Sequence, residues 1–513
     1  MRRGRSLGAV ALIGLLTACA AGPDYQTPKF DNMPVTWALD APWRESKPDD
    51  AAPKGAWWER FGDPQLNALE QRALAGSPTL AVANARLMQS RAALAANSAG
   101  LFPQLSLSTR DTRQRTSANR PLSSYNSTNF STVQNDFTLS LAVSYEVDLA
   151  GRVQRSLEGA RASAEQSAAD FENTRLLLTA DMAVAYFNLR ALDIELDVLS
   201  RSIELQKRAL GLVSSRRELG AASGLEVAQQ QALLDTTLTQ VDLLRRQRSQ
   251  FEHAIASLTG TPAPLFSLAP EVKVFTPPAI PLGVPSDVLE RRPDVASAER
   301  AMAAANAQIG VASAAFYPSI SLTSSVGAES RDLSTLFNAP SLLWSLGVSA
   351  AQSIFDGGRV RANVDFARAG YDGTVANYRR VVLNAMQEVE DGITGLAALE
   401  RASAQAQTAV ASARRVLDMA TSRYEGGATT YLDVITAQQA LLSSERQAAQ
   451  LLGQRQLTSV FLVKALGGDW RMTAPRPTST SGDPPRGSGP AWGGPALDPA
   501  RLPTSASTAS TSG

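Results

Sequence analysis

Few residues in this chain could do covalent chemistry, and those that could stand apart from one another. The single cysteine, Cys19, has no second thiol for a disulfide, a CxxC redox pair or a thiolate metal cluster. The single histidine, His253, lacks the partners that a proton relay or a metal site needs, and reads as a helix-surface residue. No Walker loop, GxGxxG, HExxH or GxSxG motif occurs, and no nucleophile is paired with a base. The chemistry-bearing residues therefore point to no enzyme, no cofactor and no metal. Among 513 residues, 49 basic and 48 acidic side chains leave a net charge of +1, without bulk bias toward nucleic acid.

The place of Cys19 is its most informative property. The opening "MRRGRSLGAVALIGLLTACAAGPDY" has a basic start (Arg2, Arg3, Arg5), a short apolar run from Leu7 to Leu16, and small residues leading to the cysteine. Residues 1–18 read as an export signal, too short for a permanent membrane helix. The stretch "LTAC" resembles the lipobox of bacterial lipoproteins, which makes Cys19 the acylated first residue of the mature chain. Ala20 follows it where an inner-membrane retention signal would have Asp, which implies sorting to the outer membrane.

A second kind of signal lies in a few alternating segments. In "FTLSLAVSYEVD", residues 137–148, Phe137, Leu139, Leu141, Val143, Tyr145 and Val147 share one face, and small or polar residues, with Glu146 and Asp148, share the other. Leu105 and Leu107, Ile320 and Leu322, and the run from Leu342 to Val348 repeat the pattern. Four such strands offer no second sheet to cover their apolar faces, so lipid is the expected neighbour. Four strands cannot close a barrel in hydrocarbon. Three chains would give twelve strands and room for a lumen, whereas two would give eight with a filled interior. Glu146 and Asp148 then face the barrel lumen or mark the strand's exit into water.

The remainder of the chain must position these strands, and it is an internal duplication. "GAASGLEVAQQQALL" (220–234) matches "GATTYLDVITAQQALL" (427–442) at an offset of 207, which pairs Gly220 with Gly427, Leu225 with Leu432 and Glu226 with Asp433. "LFPQLSLS" (101–108) matches "FYPSISLT" (316–323) at an offset of 215. Each repeat reads as helix, strand, loop, strand, very long helix, glycine-containing turn and second long helix. No proline interrupts Arg152 to Leu219, about 100 Å of helix at ~1.5 Å per residue. Leu189, Leu192, Leu196, Leu199, Ile203, Leu210 and Val213 form a coiled-coil seam along it, broken by Gln206, and Val382, Met386, Val389, Ile393 and Leu396 form another. The shorter partner helices, near 78–100 and 223–260, would match the long one if stacked end to end.

The expected organisation is a signal peptide (1–18), an extended N-terminal segment (19–62), a first repeat (63–261), a proline-rich connector (262–292), a second repeat (293–472) and a disordered tail (473–513). The fold class is mainly α with a small β part: antiparallel coiled-coil helices forming an α-barrel, and four strands per chain contributing to a trimeric twelve-stranded transmembrane β-barrel.

The chain resembles the outer-membrane factors of tripartite efflux systems, the TolC-like channels, in their lipoprotein branch. The residues that carry the likeness are "GPDYQTP" (22–28), "WWERFGDPQLNALEQRAL" (57–74), "VPSDVLERRPDVASAERAMAAANAQIGVASAAFYPSISL" (284–322), "FDGGRVRA" (355–362) and "SRYEGGATTYLDVITAQQALL" (422–442). The resemblance implies a homotrimer in outer-membrane lipid, docked to a periplasmic adaptor protein and an inner-membrane pump of the resistance-nodulation-division type. It implies that the turns with Gly220, Ala221, Gly427 and Ala428 touch the adaptor and form the entrance. It puts Leu432 at an apolar constriction and Arg423 and Tyr424 at its latch. Thr436 stands where the family often has an acid, which leaves Asp433 and Glu226 as substitutes or as ordinary helix-start charges. The implied function is efflux of drugs or other toxic small molecules. Protein secretion, metal-ion export and a non-conducting coiled-coil lipoprotein are the competing readings.

Overall fold

The computed structural model describes residues 20–26, 55–117, 132–278 and 291–468. The segments read from sequence as a signal peptide and a tail, and Cys19, lie outside them.

The element order repeats itself. After a 3-10 turn at Trp57–Phe61 come α1 (Pro64–Gly76), α2 (Pro78–Ser98), β1 (Gln104–Thr116), β2 (Thr132–Val147), α3 (Arg152–Glu218) and α4 (Gly224–Leu258). The second half has α5 (Pro293–Ala314), β3 (Ser319–Ser330), β4 (Leu342–Ala351), α6 (Arg359–Glu425) and α7 (Tyr431–Ala465). Both long helices have 67 residues and both return helices have 35, so the duplication is kept to the residue. At ~1.5 Å per residue each long helix runs about 100 Å. The seam residues Leu189, Leu199, Ile203, Val213, Val382, Val389, Ile393 and Leu396 are buried. Gln206, which breaks the seam, is buried too, and its carbonyl accepts a hydrogen bond from Gln230 Nε2 at 3.1 Å.

The shorter helices do stack end to end, at a joint that occurs twice. A β-carbon at Gly260, just past α4, would lie 2.3 Å from the Gly76 carbonyl oxygen at the α1–α2 boundary. One at Gly467, just past α7, would lie 2.1 Å from the Arg291 carbonyl oxygen before α5. Only glycine permits these approaches, and both glycines have positive φ. The repeat offsets relate the two joints: 207 takes Gly260 to Gly467, and 215 takes Gly76 to Arg291.

The largest core cluster surrounds the middle of α3. Leu178, Met182, Tyr186 and Phe187 meet Trp57, Trp58, Phe61, Leu66, Val389, Ile393 and Leu462 there. Residues 57–61 thus form a helical turn with its apolar side chains in the core, where the sequence suggested an extended segment. Trp57 is 1% exposed, and its Nε1 donates to Thr179 Oγ1 at 3.1 Å. A buried ionic knot lies beside this core: Asp193 accepts from Arg190 Nη1 at 2.7 Å and from Arg248 Nε at 2.6 Å, which ties α3 to α4.

The four strands form one antiparallel sheet in the order β1–β2–β3–β4. Its register aligns apolar rows on one face: Leu107, Leu141, Val326 and Trp344 are successive partners, and all four are exposed. On the other face Ser106, Ala142, Ser325 and Ser345 make a row, with Ser325 and Ser345 hydroxyls 2.8 Å apart. From Phe137 to Val147 the alternating part of β2 extends about 33 Å, which at a tilt of ~45° gives about 23 Å of height. That is close to the apolar band of an outer-membrane barrel, ~25 Å tall. Among the described residues no helix is long and apolar enough to cross a membrane.

Candidate functional site

The two helix turns close in the same way. After α3, Gly220 N–H donates to the Arg217 carbonyl at 2.9 Å and Ala221 N–H to the Arg216 carbonyl at 2.7 Å. After α6, Gly427 N–H donates to the Tyr424 carbonyl at 3.0 Å and Ala428 N–H to the Arg423 carbonyl at 2.8 Å. This double closure satisfies the last carbonyls of each helix and needs a left-handed residue, supplied by Gly220 (φ 76) and Gly427 (φ 73). The tip residues Gly220, Ala221, Gly427 and Ala428 are exposed.

Two tyrosines join one turn to the other. Tyr424 OH donates to Glu226 Oε2 at 2.7 Å, and Tyr431 OH donates to Gln230 Oε1 at 2.8 Å. Their rings lie 5.0 Å apart, and the Arg216 guanidinium sits 4.8 Å over the Tyr424 ring. Val213, Leu417, Val434, Ile435 and Leu441 pack with them. Burial, then the Glu226 hydrogen bond, pushes the Tyr424 phenol above its ordinary range, so it stays a neutral donor at physiological pH. Glu226 also caps its own helix, in a capping box with Ser223, whose Oγ accepts from Glu226 N–H at 3.3 Å. It is both a helix-start acid and an acceptor from the opposite repeat.

Asp433, its counterpart, is engaged locally. Its carboxylate accepts from the Thr429 hydroxyl and, at 3.4 Å, from the Thr430 hydroxyl. The Thr429 bond is the main cause that holds this carboxyl below its usual range. Leu432 is 55% exposed at the first turn of α7, and Arg423 is exposed at the end of α6. Thr436, also exposed, spends its hydroxyl on the Leu432 carbonyl at 2.8 Å. His253 is exposed on α4. Thus Tyr424 and Glu226 meet directly, whereas Leu432, Asp433 and Arg423 stay on the surface beside them. Tyr431, Gln230 and Arg216 complete the site without having been singled out from the sequence. The repeat alignment carried a signal for Tyr431, since it sets that residue against Gly224.

At the far end of α3 the two barrel acids have partners. Glu146 accepts from Arg152 Nε at 2.9 Å and Nη2 at 2.6 Å. Asp148 accepts the Gln154 backbone N–H at 2.8 Å in the first turn of α3. Both carboxylates mark the passage from strand to helix.

A sheet with an uncovered apolar face and a hydroxyl-lined opposite face, continued by paired helices of about 100 Å, defines a channel-forming membrane protein subunit. The sequence agrees: the model of the outer membrane efflux protein family matches residues 69–261 and 284–468. The chain is 32% identical over 472 residues to the pyoverdine export outer membrane protein OpmQ of Pseudomonas aeruginosa, covering 91% of this chain and 97% of that one. It is 31% identical over 475 residues to the toluene efflux pump outer membrane protein TtgF of Pseudomonas putida, covering 91% and 98%. The solved outer-membrane channel OprN superposes with a TM-score of 0.79 at 30% identity, covering 88% of this chain and 99% of OprN. The chain belongs to the outer membrane efflux protein family, and its role is transport at the outer membrane.

Proposed function

We propose that three copies of this chain form one conduit, with twelve strands in the outer membrane and the helices lining a tunnel into the periplasm. The observation that carries this reading is the single four-stranded sheet. Its apolar face is uncovered and its outer strands, β1 and β4, each have a free edge among the described residues. Hydrocarbon does not tolerate such edges, and three sheets joined β4 to β1 remove all of them while leaving a lumen. Serine, threonine, glycine and alanine dominate the inner face, which favours passage over a plug. Cys19 is the lipid attachment site, and the turns at 219–224 and 425–431 form the periplasmic entrance. Leu432 narrows that entrance, and Tyr424, Glu226 and Arg423 hold it narrow.

The conduit works with a periplasmic adaptor and an inner-membrane pump of the resistance-nodulation-division type, and exports toxic small molecules. The relatives named for toluene efflux and pyoverdine export support that substrate class. Mass measurement of the detergent-solubilised protein tests the assembly: a trimer is expected, and a stable monomer or dimer with pore activity would overturn it. Loss of export of an aromatic solvent on deletion of the gene, restored by the full chain, tests the cargo.

A further inference from the structure

Ahead of the first helix, the segment Ala20–Tyr25 rests in a seat built by α3 and α5. Ala21 N–H donates to the Ala150 carbonyl at 2.9 Å. Arg155, in the first turn of α3 and 5% exposed, donates Nε to the Ala21 carbonyl at 3.2 Å. Its Nη2 reaches the Gly22 carbonyl at 3.4 Å and Asp24 Oδ1 at 2.7 Å, and its Nη1 reaches Glu158 Oε2 at 2.7 Å. From α5, Asn306 Nδ2 donates to the Pro23 carbonyl at 2.9 Å, and Glu299 Oε1 accepts from Tyr25 OH at 2.6 Å. Backbones interlock beneath: a β-carbon on Gly22 would fall 2.6 Å from Gly310 Cα, and one on Gly310 would fall 2.7 Å from Arg155 Cγ.

The duplication says what the seat is for. Residues that the repeated fold itself needs can recur in both halves, as Gly151 does in Gly358 and the acid Glu158 in Asp365, yet four residues of this seat have no like counterpart in the other half. Arg155 corresponds to Ala362 at the offset of 207. Gly310, Asn306 and Glu299 correspond to Ala95, Arg91 and Asn84 at the offset of 215. Four departures from the repeat converge on one six-residue segment, and that segment begins directly after Cys19.

We propose that Arg155 is the positioning residue of the membrane anchor, holding Ala20–Asp24 so that the acyl chains on Cys19 leave at the foot of β2, where the apolar rows of the sheet end. The inference rests on the reading of Cys19 as acylated. Covalent geometry places Cys19 Cα ~3.8 Å from Ala20 Cα. A β-carbon at Gly151, four residues past the end of β2, would lie 2.8 Å from that same Ala20 Cα. In sequence, 35 residues lie between Cys19 and Gly55, the next described residue after the segment.

The test uses the full-length trimer with a nitroxide on Gln26→Cys, an exposed position at the end of the segment. The acylated Cys19 carries no free thiol to compete for the label. A motionally restricted spectrum is expected for the otherwise native chain. Arg155→Ala should shorten the rotational correlation time at least threefold, Arg155→Lys should restore part of the restriction, and Ala362→Arg should change nothing. If Arg155→Ala fails to assemble, Asp24→Asn, which removes the charge of one exposed partner, should shift the spectrum in the same direction. An unchanged spectrum in every Arg155 and Asp24 variant that forms trimers would overturn the proposal, as would a mobile label in the native background. Palmitate labelling separates the two claims: an unlabelled native chain sinks the anchor while the spectra still judge the seat.

Discussion

Replacing Tyr424 by Phe removes one oxygen from the contact between the two helix turns and leaves the ring packing in place. The lost bond is the 2.7 Å donation to Glu226 Oε2. Glu226 keeps its capping box with Ser223, so α4 should retain its start. A hydrogen bond to a charged acceptor contributes ~1.5–3 kcal/mol when well buried. Glu226 is partly exposed, which lowers the figure to about 1 kcal/mol for each protomer. If a trimeric entrance opens only when all three contacts part, the closed state loses about 3 kcal/mol, or roughly a hundredfold in the closed-to-open ratio. Single-channel recording in planar bilayers reads this as open probability. Glu226→Gln and the double variant complete a cycle, in which the second change should add little once the first is made. Unchanged open probability in Tyr424→Phe, with trimers intact, would refute the latch. Strictly additive effects of the two changes would show that the residues act separately.

Leu432→Ser should wet the apolar narrowing and raise single-channel conductance severalfold, and an unchanged value would move the constriction elsewhere. Cys19→Ser should abolish palmitate incorporation while leaving trimers in detergent, as judged by labelling and mass measurement. Glu70 is buried in α1 with no hydrogen-bond partner for either carboxylate oxygen among the described residues, and burial raises its pKa well above the ordinary carboxylate range. Below about pH 4.3 folded and unfolded chains both hold this proton, and its contribution is complete. As pH rises past that value the unfolded chain releases it first, so stability falls until the folded group titrates. Glu70→Gln should therefore flatten the decline in apparent unfolding temperature as pH rises from about 4.3.

The elements most legible in the sequence were those with a strict period or a strict repeat. β2 announces itself because its alternation runs from Phe137 to Val147 without a break, and the helix turns because Gly220 and Gly427 recur at one offset. Trp57–Phe61 was illegible for the opposite reason: five residues are too few to display a period, and their conformation is set by the core they enter. Within the candidate site, Tyr424 and Glu226 were named from sequence, but their meeting was not, since 198 residues separate them. For Glu146 and Asp148 the sequence left open a lumen charge or the strand's exit into water, and it did not show Arg152 and the Gln154 amide, just beyond the strand, as their partners. Local pattern does not reveal which distant or neighbouring donor a carboxylate will find.

The two glycine joints divide labour between the helices. α3 and α6 are single rods, so a bend or twist applied at their turns is carried along unbroken backbone hydrogen bonds toward the sheet. The helices beside them come in two pieces that meet at Gly76–Gly260 and Arg291–Gly467, where the helical ladder is interrupted and, at the second joint, the Arg292 side chain donates to the Ala465 carbonyl at 3.0 Å. No continuous ladder passes torque across these joints. α4 and α7 are held to the rod α3 instead by side chains, Arg248 on Asp193 and Arg446 on Glu195. The protein is a pair of continuous spars with jointed struts, clamped beside them by ion pairs.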